Sequence, residues 1–221
     1  MENILLIETI YLAVIVFCTL AIFFKARKLY SFSSYIGLKY YSSAFLYLAL
    51  GFSARYLVML IKISKGDPGV IADFGISTLV MGFFLVLPGL FLFYSMIWKR
   101  FEKEHYSGKL RLNELLIYLI AFAIAYIDTI IQGFLLMYLS QITLFAALSF
   151  ISIKRYSKHK NNYLQLFSIS MALFLLVWIF NLIGQYLISL IPTLRIYVYL
   201  LTLSACIILF SITIKLDSDK I

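Results

Sequence analysis

Long apolar runs, most of them close to the length that crosses a bilayer, alternate along this chain with short stretches rich in Lys and Arg. A spanning helix needs about 20 mostly apolar residues. The first run, from about Ile4 to Phe24, stops at Lys25-Ala26-Arg27-Lys28. The segment 29–39, LYSFSSYIGLK, is aromatic and serine-rich and is predicted to lie along the membrane surface. A second run, about 40–61, carries Arg55 inside it and ends at Lys62, after which Gly66, Asp67, Pro68 and Gly69 predict a turn. The third, about 74–98, contains Pro88-Gly89, a predicted kink because proline removes one backbone hydrogen bond. Between Leu112 and Ile153 no basic residue occurs, and that stretch is too long for one span. Two spans, about 112–128 and 132–153, therefore fold back at the polar group Asp128, Thr129, Gln132 and Gly133. The last two runs, about 163–187 and 195–214, are parted by Pro192. The pattern predicts an all-α polytopic integral membrane protein, a seven-transmembrane-helix bundle forming a single domain over 1–221.

Loop charge then orients the bundle. Lys25, Arg27, Lys28 and Lys39 follow span one; Lys99, Arg100, Lys103, Lys109 and Arg111 follow span three; Lys154, Arg155, Lys158 and Lys160 follow span five. Lys215 and Lys220 follow span seven. Of the 19 basic residues, only Lys62, Lys65, Arg195 and Arg55 stand elsewhere. Cytoplasmic loops carry the excess of Lys and Arg, so the N-terminus is expected outside and the C-terminus inside. With acids at Glu2 and Glu8 and a run reaching Phe24, the first segment is expected to be a retained span and not a cleaved signal.

Composition agrees and narrows the function. The chain has 63% hydrophobic and 13% charged residues, against roughly 45–50% and 25% in soluble domains. The net charge of +9 is explained by topology, and no nucleic-acid partner is expected. The basic loops are expected to lie against anionic lipid headgroups, at about 1 kcal/mol for each basic residue near the surface. At 221 residues the chain is expected to hold no separate output domain, so any signal is expected to pass to a partner protein. Cys18 and Cys206 both lie within apolar runs, where a free cysteine acts as a small hydrophobe.

Ionisable groups within a span are the first candidates for a site. At about 1.5 Å of rise per residue, Glu8 lies roughly 6 Å and Arg55 roughly 9 Å below the outer ends of spans one and two, so the two can meet. Asp73 and Asp128 mark the outer tips of spans three and four. Asn181 and Gln185 share one face of span six at i, i+4, with Trp178 three residues earlier, and Gln141 stands near the middle of span five. Glu8, Arg55, Gln141, Trp178, Asn181 and Gln185 are the candidate ligand-binding residues, around a pocket open to the outside. Residue pairs four apart, Ala49 with Ser53, Thr78 with Gly82 and Ala121 with Ala125, predict close helix approach.

Several chemistries lack their residues. Span seven has no lysine at its middle for a retinal Schiff base, only Lys215 at its inner end. Both histidines, His105 and His159, fall in loops, and neither HExxH nor GxSG occurs. The Pro-Gln signature of seven-span sugar and amino-acid transporters is missing. No enzymatic activity, cofactor or metal is expected.

The stretch KYYSSAFLYLALGFSARYLVML, Lys39 to Leu60, resembles the second-span pattern of uncharacterised archaeal seven-helix membrane proteins and of the seven-helix sensor regions that precede histidine kinases in some prokaryotes. It implies an outward-facing sensing bundle in the cell membrane. A non-enzymatic sensor or small-ligand-binding bundle that signals through a separate partner is therefore expected, with a small-solute transporter or an accessory subunit of a membrane complex as alternatives.

Overall fold

A computed structural model describes residues 2–64, 74–102, 109–186 and 192–218, with side chains for 9–57, 75–98, 113–185 and 196–216. The described residues form seven α-helices: α1 (Glu2–Ser33), α2 (Ile36–Ser64), α3 (Phe74–Glu102), α4 (Lys109–Ile131), α5 (Leu135–His159), α6 (Asn162–Tyr186) and α7 (Pro192–Ser218). Six of them, all but α2, are long and apolar enough to cross a membrane.

The helices outrun the apolar segments. α1 continues through Lys25–Lys28 to Ser33, and only Ser34 and Tyr35 separate it from α2, so the segment after Phe24 is helix and not a surface loop. Basic residues mark where a membrane ends, but Lys, Arg and Leu are good helix formers. Ser34, in the left-handed region (φ 52°), reverses the chain, and its N–H donates to Tyr30 O at 2.8 Å. α4 likewise runs to Ile131, three residues beyond the predicted end. The turn is confined to Gln132 (φ 56°), Gly133 and Phe134, with the Gly133 N–H donating to Asp128 O at 3.0 Å. α7 starts at Pro192, a position where the missing N–H costs nothing. The turn predicted at Gly66–Gly69 and the loop residues Lys103 and His105 lie outside the described residues.

Packing follows a ring in the order α1, α2, α3, α5, α6, α7 and back to α1, with α4 outside it against α3 and α5. Ile15, Ile22, Tyr40, Phe45, Leu87, Leu92, Phe145, Leu148, Met171 and Leu209 are fully buried and fill the centre. Small residues set the closest approaches. A Cβ on Gly51 would stand 2.8 Å from Leu85 Cδ2 and 3.1 Å from Phe84 O, so α2 and α3 nearly touch there. A Cβ on Gly82 of α3 would stand 3.4 Å from Ala125 Cβ of α4, so one residue from each of two small-residue pairs read from the sequence meets the other there. Hydroxyls within the helices mostly turn back on their own backbone: Thr19 donates to Ile15 O, Ser170 to Leu166 O and Thr213 to Leu209 O. That is the cheap way to satisfy a hydroxyl in an apolar medium.

Candidate functional site

Two polar clusters stand at opposite ends of the bundle. At the end where α1 begins, Tyr11 of α1 stacks on Tyr199 of α7, centroids 4.1 Å apart, and meets the edge of Phe52 of α2 at 6.2 Å. The Tyr11 hydroxyl is hydrogen-bonded to Thr202 and lies within electrostatic reach of Arg55. Near it, Thr9 Oγ1 and Tyr56 Oη are 2.6 Å apart. Arg55 itself is exposed. An exposed guanidinium within electrostatic reach of a tyrosine suits an anionic group attached to an apolar body, since arginine combines planar hydrogen bonding with stacking.

The candidate residues of the sequence fall into separate neighbourhoods. The side chain of Glu8 lies outside the described residues. Gln141 of α5 is fully buried and donates from Nε2 to Val86 O of α3 at 3.1 Å. It occupies the notch left by the Pro88-Gly89 step, because a Cβ on Gly89 would lie 2.5 Å from Gln141 Oε1. Trp178 of α6 is buried against Tyr138 of α5, centroids 6.1 Å apart. Asn181 donates to Val177 O of its own helix at 2.9 Å, and Gln185 is exposed. Among the described residues, Arg55 lies within electrostatic reach of Tyr11 of α1, whereas Gln141 bonds to α3 and Trp178 packs against α5.

At the other end, where the basic turns gather, lies a cluster that the sequence reading missed. Lys39 Nζ of α2 is 2.6 Å from Glu114 Oε1 of α4, and Tyr40 Oη donates to the same oxygen at 3.1 Å. Two turns along α2, Tyr47 Oη is 2.7 Å from Tyr118 Oη of α4. Asn113 Nδ2 donates to Tyr94 Oη of α3 at 3.1 Å. The ring of Phe91 sits among Tyr40, Tyr47 and Tyr118, with centroids 5.2–6.1 Å away. Spacing held the signal: Tyr40 and Tyr47 are seven apart on α2, and Glu114 and Tyr118 four apart on α4, so each pair shares a helix face. Nearby, Arg155 of α5 donates from Nη2 to Met96 O of α3 at 2.6 Å.

No known family matches the chain, and no solved structure matches it. An uncharacterised protein of Archaeoglobus fulgidus is 28% identical over 113 residues, which is 48% of this chain and 48% of that protein. The chain thus spans about half the length of the curated relative it matches.

Proposed function

We propose that this is a seven-span protein of the cell membrane, N-terminus outside, that acts without catalysis as a sensor or small-ligand-binding bundle and signals through a partner docked on its basic turns. α2 is the seventh span. Its 29 residues extend roughly 43 Å at 1.5 Å each, more than the roughly 30 Å of a bilayer core. Flanked by α1 and α3, it keeps Tyr40 and Ser42 buried inside the protein, where lipid does not meet them.

The single observation that carries the reading is that the polar groups gather at the two ends, while the fully buried side chains between them are mostly apolar. Arg55, Tyr56 and Thr9 carry charge and hydroxyls at one end, beside the Tyr11 hydroxyl buried against Thr202. Toward the other, Tyr40, Phe91, Tyr47 and Tyr118 pack ring on ring above the Lys39–Glu114 pair. Alternating-access transport uses a site near the midplane that both faces reach in turn. Here the Arg55 group and the Lys39–Glu114 cluster stand apart at opposite ends of the bundle, which favours reception over passage. Arg55 would hold the anionic part of a ligand, with Tyr11, Tyr199 and Phe52 as its apolar wall.

The test is a thermal-shift series on the full chain in detergent, using small aromatic carboxylates and phosphate esters. Stabilisation of the wild type by at least one of them, absent in Arg55→Gln, is the expected result. No stabilisation, or stabilisation unchanged in Arg55→Gln, would contradict the assignment.

A further inference from the structure

A recess of about 340 Å³ opens at the basic end, lined by Lys160, Asn161, Asn162, Tyr163, Leu166 and Lys215. Its two ammonium groups come from distant parts of the chain: Lys160 is the residue that ends α5, and Lys215 lies in the last turn of α7. Among the described residues, no carboxylate lines the recess. Two like charges brought to one concavity repel each other, and an anion seated between them relieves that repulsion. Lys160 reaches its position in the left-handed conformation (φ 43°), its N–H bonded to Tyr156 O at 2.7 Å. Glycine or asparagine is the usual residue there. Asn161 Oδ1 accepts the Tyr163 N–H at 2.8 Å, which fixes the carboxamide so that its NH2 remains a donor. Leu166 supplies an apolar surface on the side that continues along α6.

From these features we infer that the recess binds a phosphate ester, the anion carried by acidic phospholipid headgroups and by small soluble phosphate esters. Lys160 and Lys215 hold the phosphate oxygens, the Asn161 amide adds a hydrogen bond, and Leu166 lies against the carbon attached to the ester. Basic pockets between helices at a membrane surface take lipid headgroups in this way. The volume is at the lower end of the roughly 300–1,000 Å³ usual for small-molecule sites. This inference concerns the opposite end of the bundle from Arg55 and stands apart from the ligand proposed there.

The experiment uses the full chain in nanodiscs of phosphatidylcholine alone or with phosphatidylglycerol, and separately in phosphatidylcholine with soluble glycerol 3-phosphate. Thermal unfolding is read for the wild type, for Lys160→Asn/Lys215→Gln, and for Lys154→Gln/Lys158→Gln as a matched loss of two charges. Asparagine at 160 keeps the left-handed turn accessible. A rise in melting temperature with phosphatidylglycerol alone identifies the headgroup as the source, and a rise with glycerol 3-phosphate identifies a soluble ester. In either case it must disappear in Lys160→Asn/Lys215→Gln and persist in Lys154→Gln/Lys158→Gln. Titrated affinity should fall by about fivefold for each recess lysine removed. No rise in the wild type with either additive, or an equal loss in both double variants, would overturn the site.

Discussion

Asp128, in the last turn of α4, reaches across the turn and accepts the N–H of Met137, in the first turn of α5, at 2.7 Å through Oδ2, while Oδ1 accepts the Leu136 N–H at 2.9 Å. Its side chain is almost wholly buried. The first N–H groups of a helix have no partner within it, and in an apolar medium an unmet one is costly. Asp128 supplies that partner from the neighbouring helix and so fixes the angle of the α4–α5 hairpin.

Asp128→Ala should therefore destabilise the protein by about 1–3 kcal/mol, the cost of leaving buried donors unmet. Asp128→Asn, which keeps one acceptor oxygen, should lose less. Melting of the purified chain in detergent measures both, and equal losses in the two variants would mean that a single acceptor oxygen does not suffice as the cap.

A second expectation concerns the Gly89 notch. Gly89→Ala places a methyl group against Gln141 Oε1, and overpacking of this kind costs about 1–3 kcal/mol. Gln141→Ala removes the obstacle along with its hydrogen bond to Val86 O. Adding Gly89→Ala to Gln141→Ala should then cost less than adding it to the wild type, a coupling that a double-mutant cycle reads directly.

Lys39 and Glu114 are partly exposed, so their ion pair should be worth little, with a coupling of about 0.2–1 kcal/mol. Lys39→Glu and Glu114→Lys should each destabilise, and the exchanged pair should recover part of the loss. Additive losses in the exchanged pair would show that the contact is geometric only.

Much of the fold was legible in the residue pattern, and what was not has physical causes. All seven helices follow from the apolar runs, and the Thr78–Gly82 and Ala121–Ala125 spacings anticipated a real seam. Helix ends were misjudged after Phe24 and Asp128 because charge marks a membrane boundary, whereas helix propensity runs past it until a left-handed residue such as Ser34 or Gln132 ends the helix. Asp128 reads as a wetted helix tip on its own. Only the hairpin reveals it as a buried cap, since its partners are backbone N–H groups without a sequence signature. For the same reason Gln141 was legible as a deep polar group, but its acceptor, Val86 O, was not. The Lys39, Tyr40 and Glu114 contact joins residues more than 70 apart, a tertiary relation that periodicity on either helix leaves open.

Orientation can be tested separately from the site. In a background lacking Cys18 and Cys206, single cysteines at Lys28 and Lys158 should be shielded from an impermeant thiol reagent in intact cells, and one at Gly66 should react. Labelling at Lys28 and Lys158 with none at Gly66 would invert the topology.

The most direct test of a one-sided outward site is a ladder of single cysteines down α2 in the same background, at Arg55, Phe52, Leu48, Ala44 and Tyr40, probed by a thiol reagent from each side of proteoliposomes containing this chain alone. The account predicts strong labelling of Arg55→Cys from the N-terminal side, fading by Leu48→Cys, and none at Ala44→Cys or Tyr40→Cys from either side, because Ala44 and Tyr40 are buried in the packed layer. A continuous reactive stripe from Arg55 to Tyr40, reached from both faces, would contradict it and indicate a passage through the bundle.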